Sequence, residues 1–145
     1  MKSADPATIA AQSATALFTR DRASQMLGMR ILDTGPGYAR VAMTIRADMC
    51  NGHLICHGGL IFALADSAFA FACNSYNRNT VAAGATIDFL LPARLDDELT
   101  AEARELWRPG RSGLYEITVT NQRGDTVALF RGRSHEGRVT VIEDA

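Results

Sequence analysis

The spacing of apolar positions changes several times along the chain, and each change marks an element. In residues 7–27, Ile9, Ala16, Leu17 and Phe18, then Ala23, Met26 and Leu27, recur at helical spacing. The pattern breaks at Thr19-Arg20-Asp21, so Asp21 is expected to cap a second short helix that Gly28 ends. Residues 29–34 read as a short strand, and Gly35-Pro36-Gly37 as a turn. In 38–46, Val41, Met43 and Ile45 alternate with Arg40, Ala42, Thr44 and Arg46, which is the period of a strand. An irregular polar loop, 47–57, comes next. Residues 58–73 then form an apolar run with a single charge, Asp66. After a polar loop at 74–79, four strand-like segments cover 80–91, 99–107, 114–122 and 126–133. The turns between them suit an antiparallel meander. Residues 137–145 read as a short, frayed tail.

A helix that is hydrophobic all round must be covered all round. One sheet covers only one side. The predicted fold is therefore α+β, with a curved antiparallel sheet wrapped around the apolar helix. The helix's remaining side is expected to face a second subunit, and a helical segment, 1–27, precedes the sheet. No linker or repeat interrupts the chain, so residues 1–145 are expected to form one domain.

Composition narrows the function classes. The 145 residues suffice for a real core, and 47% hydrophobic with 21% charged residues is ordinary for a globular protein. A net charge of −1 supplies no field for nucleic acid. The N-terminus lacks a strongly apolar stretch after basic residues, so no signal peptide is expected. The longest apolar run falls short of the roughly 20 residues of a membrane span. Three cysteines without a C-x-x-C hook suggest a reducing compartment, and the cytoplasm is the expected location.

Asp66 carries the most information. A carboxylate in such a run loses its water, and burying it unpaired costs several kcal/mol or forces its pKa up. Upstream stand Asn51-Gly52-His53 and His57-Gly58-Gly59. Together with Asp66, this set resembles the hotdog-fold acyl-CoA thioesterases of the phenylacetic acid degradation (PaaI) type. Thr86-Ile87-Asp88-Phe89-Leu90, Pro92 and Val127-Ala128-Leu129-Phe130-Arg131-Gly132 extend the resemblance over roughly residues 25–135.

Thioester hydrolysis needs a group that delivers or becomes the nucleophile, and a donor for the charge on the carbonyl oxygen. Asp66 suits the first task, as general base on water or as direct nucleophile. Gly58 opens the apolar helix, where its N–H has no intrahelical partner and sits at the positive end of the dipole. Glycine there also admits a close carbonyl. Gly58 and Asp66 lie roughly 12 Å apart along one helix at ~1.5 Å per residue. Donor and nucleophile must each come within about 3.5 Å of the reacting group. One helix does not supply both, whereas two antiparallel helices about a two-fold axis do, with two sites per dimer.

The resemblance implies that same homodimer, with Asp66 of one subunit facing Gly58 of its partner, and often a homotetramer. It implies that His57 orients the loop and the thioester, and that Asn51 positions water or substrate beside Asp66. It implies an acyl-CoA substrate along the subunit interface; no cofactor and no metal are expected. Phenylacetyl-CoA or a hydroxyphenylacetyl-CoA is the implied ester, with a medium-chain acyl-CoA as its main competitor. Arg94, Arg111 and Arg133 are candidates for the coenzyme A phosphates. Gly59, Ala82, Gly84 and Thr86 are candidate substrate contacts, the small residues leaving room for a bulky acyl group.

Plainer readings compete. Asp66 can be a structural acid, His57 a helix cap, Asn51 a turn residue and Gly58-Gly59 a tight entry to the helix. Cys50, His53, Cys56 and His57 offer metal-ligand chemistry but lack a paired hook. A hotdog hydratase or dehydratase is disfavoured because Gly58-Gly59 replaces a Pro-Gly entry and Asp66 follows His57 rather than preceding it. A non-catalytic acyl-CoA sensor would ordinarily carry a DNA-reading segment. The stretch around Arg20-Asp21-Arg22 has no basic face of that kind.

Overall fold

The computed structural model describes residues 4–142. Asp5 starts helix α1, Pro6–Arg20, by accepting the Thr8 N–H at 3.0 Å, with Pro6 in the first turn where a missing N–H costs nothing. Asp21 repeats the device for the predicted second helix, α2, Arg22–Met26. Its carboxylate accepts the Ser24 N–H at 2.9 Å and the Ser24 hydroxyl at 2.6 Å. Gly28 then turns the chain out at φ +70°, as its position predicts. Strands β1, Arg30–Gly35, and β2, Tyr38–Thr44, pair antiparallel.

Helix α3 runs Gly58–Cys73, the span that the apolar run predicts. Strands β3, Thr80–Phe89, β4, Glu98–Trp107, β5, Ser112–Thr120, and β6, Thr126–Glu136, complete a six-stranded sheet. Its order is β1-β2-β4-β5-β6-β3.

The four-strand meander needs correction. Strands β4, β5 and β6 do form one, but β3 pairs with β6 at the sheet edge and not with β4. The cause is the connection, residues 90–97, which is pinned far from any hairpin. The Ala93 carbonyl accepts the Cys56 N–H at 2.7 Å, and Ile45 exchanges backbone bonds with Asp96 and Asp97 at 2.9 Å. The chain thus passes the start of α3 and delivers β4 to β2, where Val41 faces Ala101.

α3 lies against all six strands. Leu64, Ala65, Ala68 and Phe69 are buried on it, opposite Met43, Leu99, Tyr115, Ile117 and Phe130. The Phe69 ring sits 5.5 Å from Tyr115 and 5.9 Å from Phe130. Gly132 of β6 makes room for it, since a Cβ there would lie 2.7 Å from the Phe69 ring. α1 closes one flank through Phe18, 6.3 Å from Phe71. On another side of α3, Phe62, Ala63, Asp66 and Ala70 remain half-exposed, and residues 81–86 of β3 are exposed.

The tail also differs from expectation. In its described part, 137–142, Asn77 Oδ1 accepts the N–H groups of Val141 and Ile142, Arg20 donates to the Val141 carbonyl, and Val141 is buried. A buried valine with paired backbone holds this segment down. Residues 143–145 of the tail, like residues 1–3, lie outside the described part. Among the described residues, no helix is long and apolar enough to cross a membrane.

Candidate active site

The loop before α3 is built by its own polar atoms. Asn51 and Ile55 bond through the Asn51 N–H at 2.8 Å, and Asn51 Oδ1 accepts the N–H groups of His53 at 2.9 Å and Ile55 at 3.4 Å. Leu54 closes the turn in the left-handed region at φ +63°, a strained conformation for leucine. Asn51 is therefore a turn former through its side-chain oxygen, in line with the plainer reading.

His57 is the N-cap of α3. Its Nδ1 accepts the Gly59 N–H at 3.1 Å, and its own N–H donates to the Met49 carbonyl at 2.8 Å. With Nδ1 accepting, the neutral ring carries its proton on Nε2. The cap reading of His57 thus holds in geometry. The cap also consumes the Gly59 N–H and leaves the Gly58 N–H without a partner among the described residues.

That free donor opens into a cleft of about 400 Å³, lined among others by Asn51, Gly58, Ile61, Phe89, Leu91 and Pro92. The lining residues are mostly apolar, with Asn51 and Gly58 among the few others. The Phe89 ring lies over Gly58, where a Cβ would come within 3.1 Å of the ring. The 90–97 connection that displaces β4 is thus also the cleft's wall. The sequence carries a faint signal for this wall in the apolar Leu90-Leu91-Pro92 beyond a strand end.

Asp66 lies two helical turns further on, half-buried, and does not line the cleft. Among the described residues it makes no side-chain hydrogen bond. Burial, and then the nearby charge of Asp21, hold its carboxyl above the ordinary value of 3.8. The residue next to it, Ser67, lies 2.8 Å from Ser24 through the two hydroxyls, so α2 is tied to α3 beside the carboxylate. Nothing in the sequence marks Asp21 as more than a helix start, and nothing marks Ser24 at all.

The other candidates divide. Asn51, His57, Gly58 and Gly59 gather at the α3 N-terminus. Ala82, Gly84 and Thr86 lie exposed along the β3 edge, and Arg133 reaches across to donate to the Ala83 carbonyl at 3.4 Å. Arg94 is exposed beside Ala93 of the cleft wall. Arg111 stands at the far end of the sheet, around a separate cleft of about 240 Å³ with Arg78, Glu136 and Arg138. Among the described residues, no three His, Cys, Asp or Glu side chains come together as a ligand set.

Residues 53–128 match the model of the thioesterase superfamily. The chain is 46% identical over 134 residues to acyl-coenzyme A thioesterase PaaI of Escherichia coli, covering 92% of this chain and 96% of that one. The structure of the E. coli PaaI protein from the phenylacetic acid degradation operon superposes with a TM-score of 0.92 over 94% of this chain and 99% of that chain. A variant of the phenylacetic acid degradation protein PaaI of Thermus thermophilus is 36% identical, with a TM-score of 0.76 over 79% of this chain and 98% of that one. The curved sheet around one apolar helix, the cap that frees the Gly58 N–H and these matches together establish that the chain belongs to the thioesterase superfamily, as a hotdog-fold member of the PaaI type.

Proposed function

We propose that the chain hydrolyses an aryl-acetyl-CoA thioester, phenylacetyl-CoA or a hydroxylated relative, at sites shared by two subunits. One observation carries the reading. The free N–H of Gly58 and the unpaired carboxylate of Asp66 sit two turns apart on the same helix, so each needs the other from a second copy.

In this reading the thioester carbonyl enters the cleft and its oxygen accepts the Gly58 N–H. The helix dipole and the low-polarity walls favour the negative charge that develops there. Asp66 of the partner subunit then acts at the carbonyl carbon. As a base it takes a proton from water while the water oxygen attacks. As a nucleophile it attacks directly, and water cleaves the resulting anhydride. In both, the C–S bond breaks, the coenzyme A thiolate leaves and takes up a proton, and the free acid follows. The raised carboxyl pKa makes the ionised Asp66 a stronger base than an ordinary carboxylate. Asn51 presents its amide beside the carbonyl, and His57 holds the Gly58 peptide in place through the cap.

The apolar cleft of about 400 Å³ suits an aromatic acyl group. Arg78, Arg111 and Arg138, three cations around Glu136, suit the coenzyme A phosphates better than the scattered Arg94 and Arg133. The dimer forms through the exposed β3 edge, the PaaI resemblance favours a tetramer of two such dimers, and the cytoplasm is the compartment.

The test is thiol release from phenylacetyl-CoA and a short acyl-CoA panel by wild type and Asp66→Ala. Release that prefers the aryl-acetyl ester and drops by roughly 10²-fold or more in the variant supports the proposal, each tenfold being about 1.4 kcal/mol of barrier. Equal rates in the two proteins would make Asp66 structural. A preference for straight-chain esters would overturn the substrate assignment alone.

A further inference from the structure

Cys50 and Cys56 face each other across the loop that carries Asn51, joined in an isolated antiparallel bridge. The bonds that frame it run from the Asn51 N–H to the Ile55 carbonyl and from the His57 N–H to the Met49 carbonyl, each 2.8 Å. The cysteine N–H groups bond elsewhere, to Ala47 and Ala93. The pair is therefore of the narrow, non-hydrogen-bonded kind, with Cα atoms about 4.5 Å apart and both side chains on one face. A disulfide needs Cα atoms roughly 4.4–6.8 Å apart, so this backbone accepts one without moving.

Both thiols are free. The Cys50 sulfur contacts the Arg46 carbonyl at 3.7 Å and the Cys56 sulfur the His57 carbonyl at 3.5 Å, weak contacts that a χ1 rotation releases. Cys50 is half-buried and within reach of solvent, whereas Cys56 is buried in the wall of the cleft. Cys73, the third cysteine, is buried on α3 and has no such partner among the described residues.

We propose that Cys50 and Cys56 are a site of reversible oxidative modification, closing to a disulfide that staples the loop holding Asn51 to the start of α3. A peroxide supplies the oxidant. The Cys50 sulfur attacks one peroxide oxygen, the O–O bond breaks, and Cys50 becomes a sulfenic acid with release of water. The Cys56 sulfur then loses its proton and attacks the Cys50 sulfur. The S–O bond breaks and a second water leaves. Two thiols are oxidised and one peroxide is reduced to two waters. Burial and the neighbouring Cys50 push the Cys56 thiol up to about 11, so the second step quickens as pH rises towards that value. Closure also turns the Cys56 sulfur within the cleft wall, so the staple is coupled to the space that an acyl group would fill.

The experiment is hydrogen peroxide treatment of the folded full chain, followed by intact mass and peptide mapping without reductant. The expected result is loss of two hydrogens, a peptide joining Cys50 to Cys56 within one chain, and reversal by dithiothreitol. In Cys56→Ser the reaction stops at a Cys50 sulfenic acid that dimedone traps, and Cys50→Ser forms no link. The wild-type chain alone decides the matter if a variant fails to fold. Oxygen added at Cys50 with no loss of two hydrogens, a link through Cys73, or a link only between chains would each overturn the proposal.

Discussion

Gly58 is the residue at which a single atom can be tested. Its N–H is removable without a hole, because proline fits the first position of a helix. The preceding residue must then be extended, and His57 already is, at φ −59° and ψ 130°. Gly58→Pro is therefore expected to fold, with the half-exposed Phe89 ring yielding to the added carbons. Its kcat should fall by roughly 10²–10³, the usual cost of one oxyanion donor, with circular dichroism and thermal midpoint near wild type. Full activity in a folded Gly58→Pro protein would exclude the N–H as donor. Asp66 makes a second prediction, about stability. Its carboxyl pKa is raised in the folded chain, so the folded state binds the proton more tightly than the unfolded state. Above that raised value the ionised group opposes folding, and as pH falls through the window down to 3.8 the opposition disappears. Asp66→Asn should therefore be more stable than wild type at pH 7, with the gap closing on acidification, as read by paired denaturant melts. A less stable variant at pH 7 would mean the carboxylate is paired in the assembled protein. Both residues are legible in the sequence because a lone acid and a glycine pair are conspicuous in an apolar run. Phe89 is not, since nothing local says that a strand-end ring will cover a helix start.

At the scale of elements, the pattern of apolar positions locates the three α-helices and the six strands, but the short 3-10 helix Ala47–Met49 falls inside the loop it reads as irregular. The pattern does not tell which strands pair. β3 and β4 are neighbours in sequence, and turn residues between them mimic a hairpin. The decision is made instead by backbone bonds from residues 93–97 to Ile45 and Cys56, which no window of sequence contains. The docking of the tail escapes for a similar reason, as its partner is Asn77, more than 60 residues away. The β6–α3 contact offers a test of the packing. Gly132 needs no special backbone, and its role is space for the Phe69 ring 2.7 Å from where a Cβ would stand. Gly132→Ala is expected to cost about 1–3 kcal/mol, because the Phe69 ring belongs to the buried core and cannot yield freely. A urea melt measures it. An unchanged midpoint would show that β6 and α3 slide apart more easily than a close-packed core allows.

At the scale of the whole molecule, the single chain presents an apolar edge strand with Val81 58% exposed and a carboxylate with no partner among the described residues. An uncovered edge of this kind pairs or aggregates. Self-pairing of β3 about a two-fold axis would cover the edge, set the two copies of α3 antiparallel and bring each Gly58 towards the other's Asp66. The sequence argument reaches the same arrangement from helix length alone, since eight residues cannot be folded back within one helix. Two inactive variants can decide it. Asp66→Ala keeps its oxyanion donor, and Gly58→Pro keeps its carboxylate. In a mixed dimer with shared sites, one site receives both intact groups and the other receives neither. Random assembly of equal amounts then makes about half the dimers mixed, each with one working site, and restores about a quarter of wild-type activity. Sites contained within one chain would give no recovery in any mixture. Co-expression with two different affinity tags, purification through both and a thiol-release assay separates the two outcomes. A doubly purified dimer without activity would remove the shared-site mechanism, while leaving the fold and the family membership untouched.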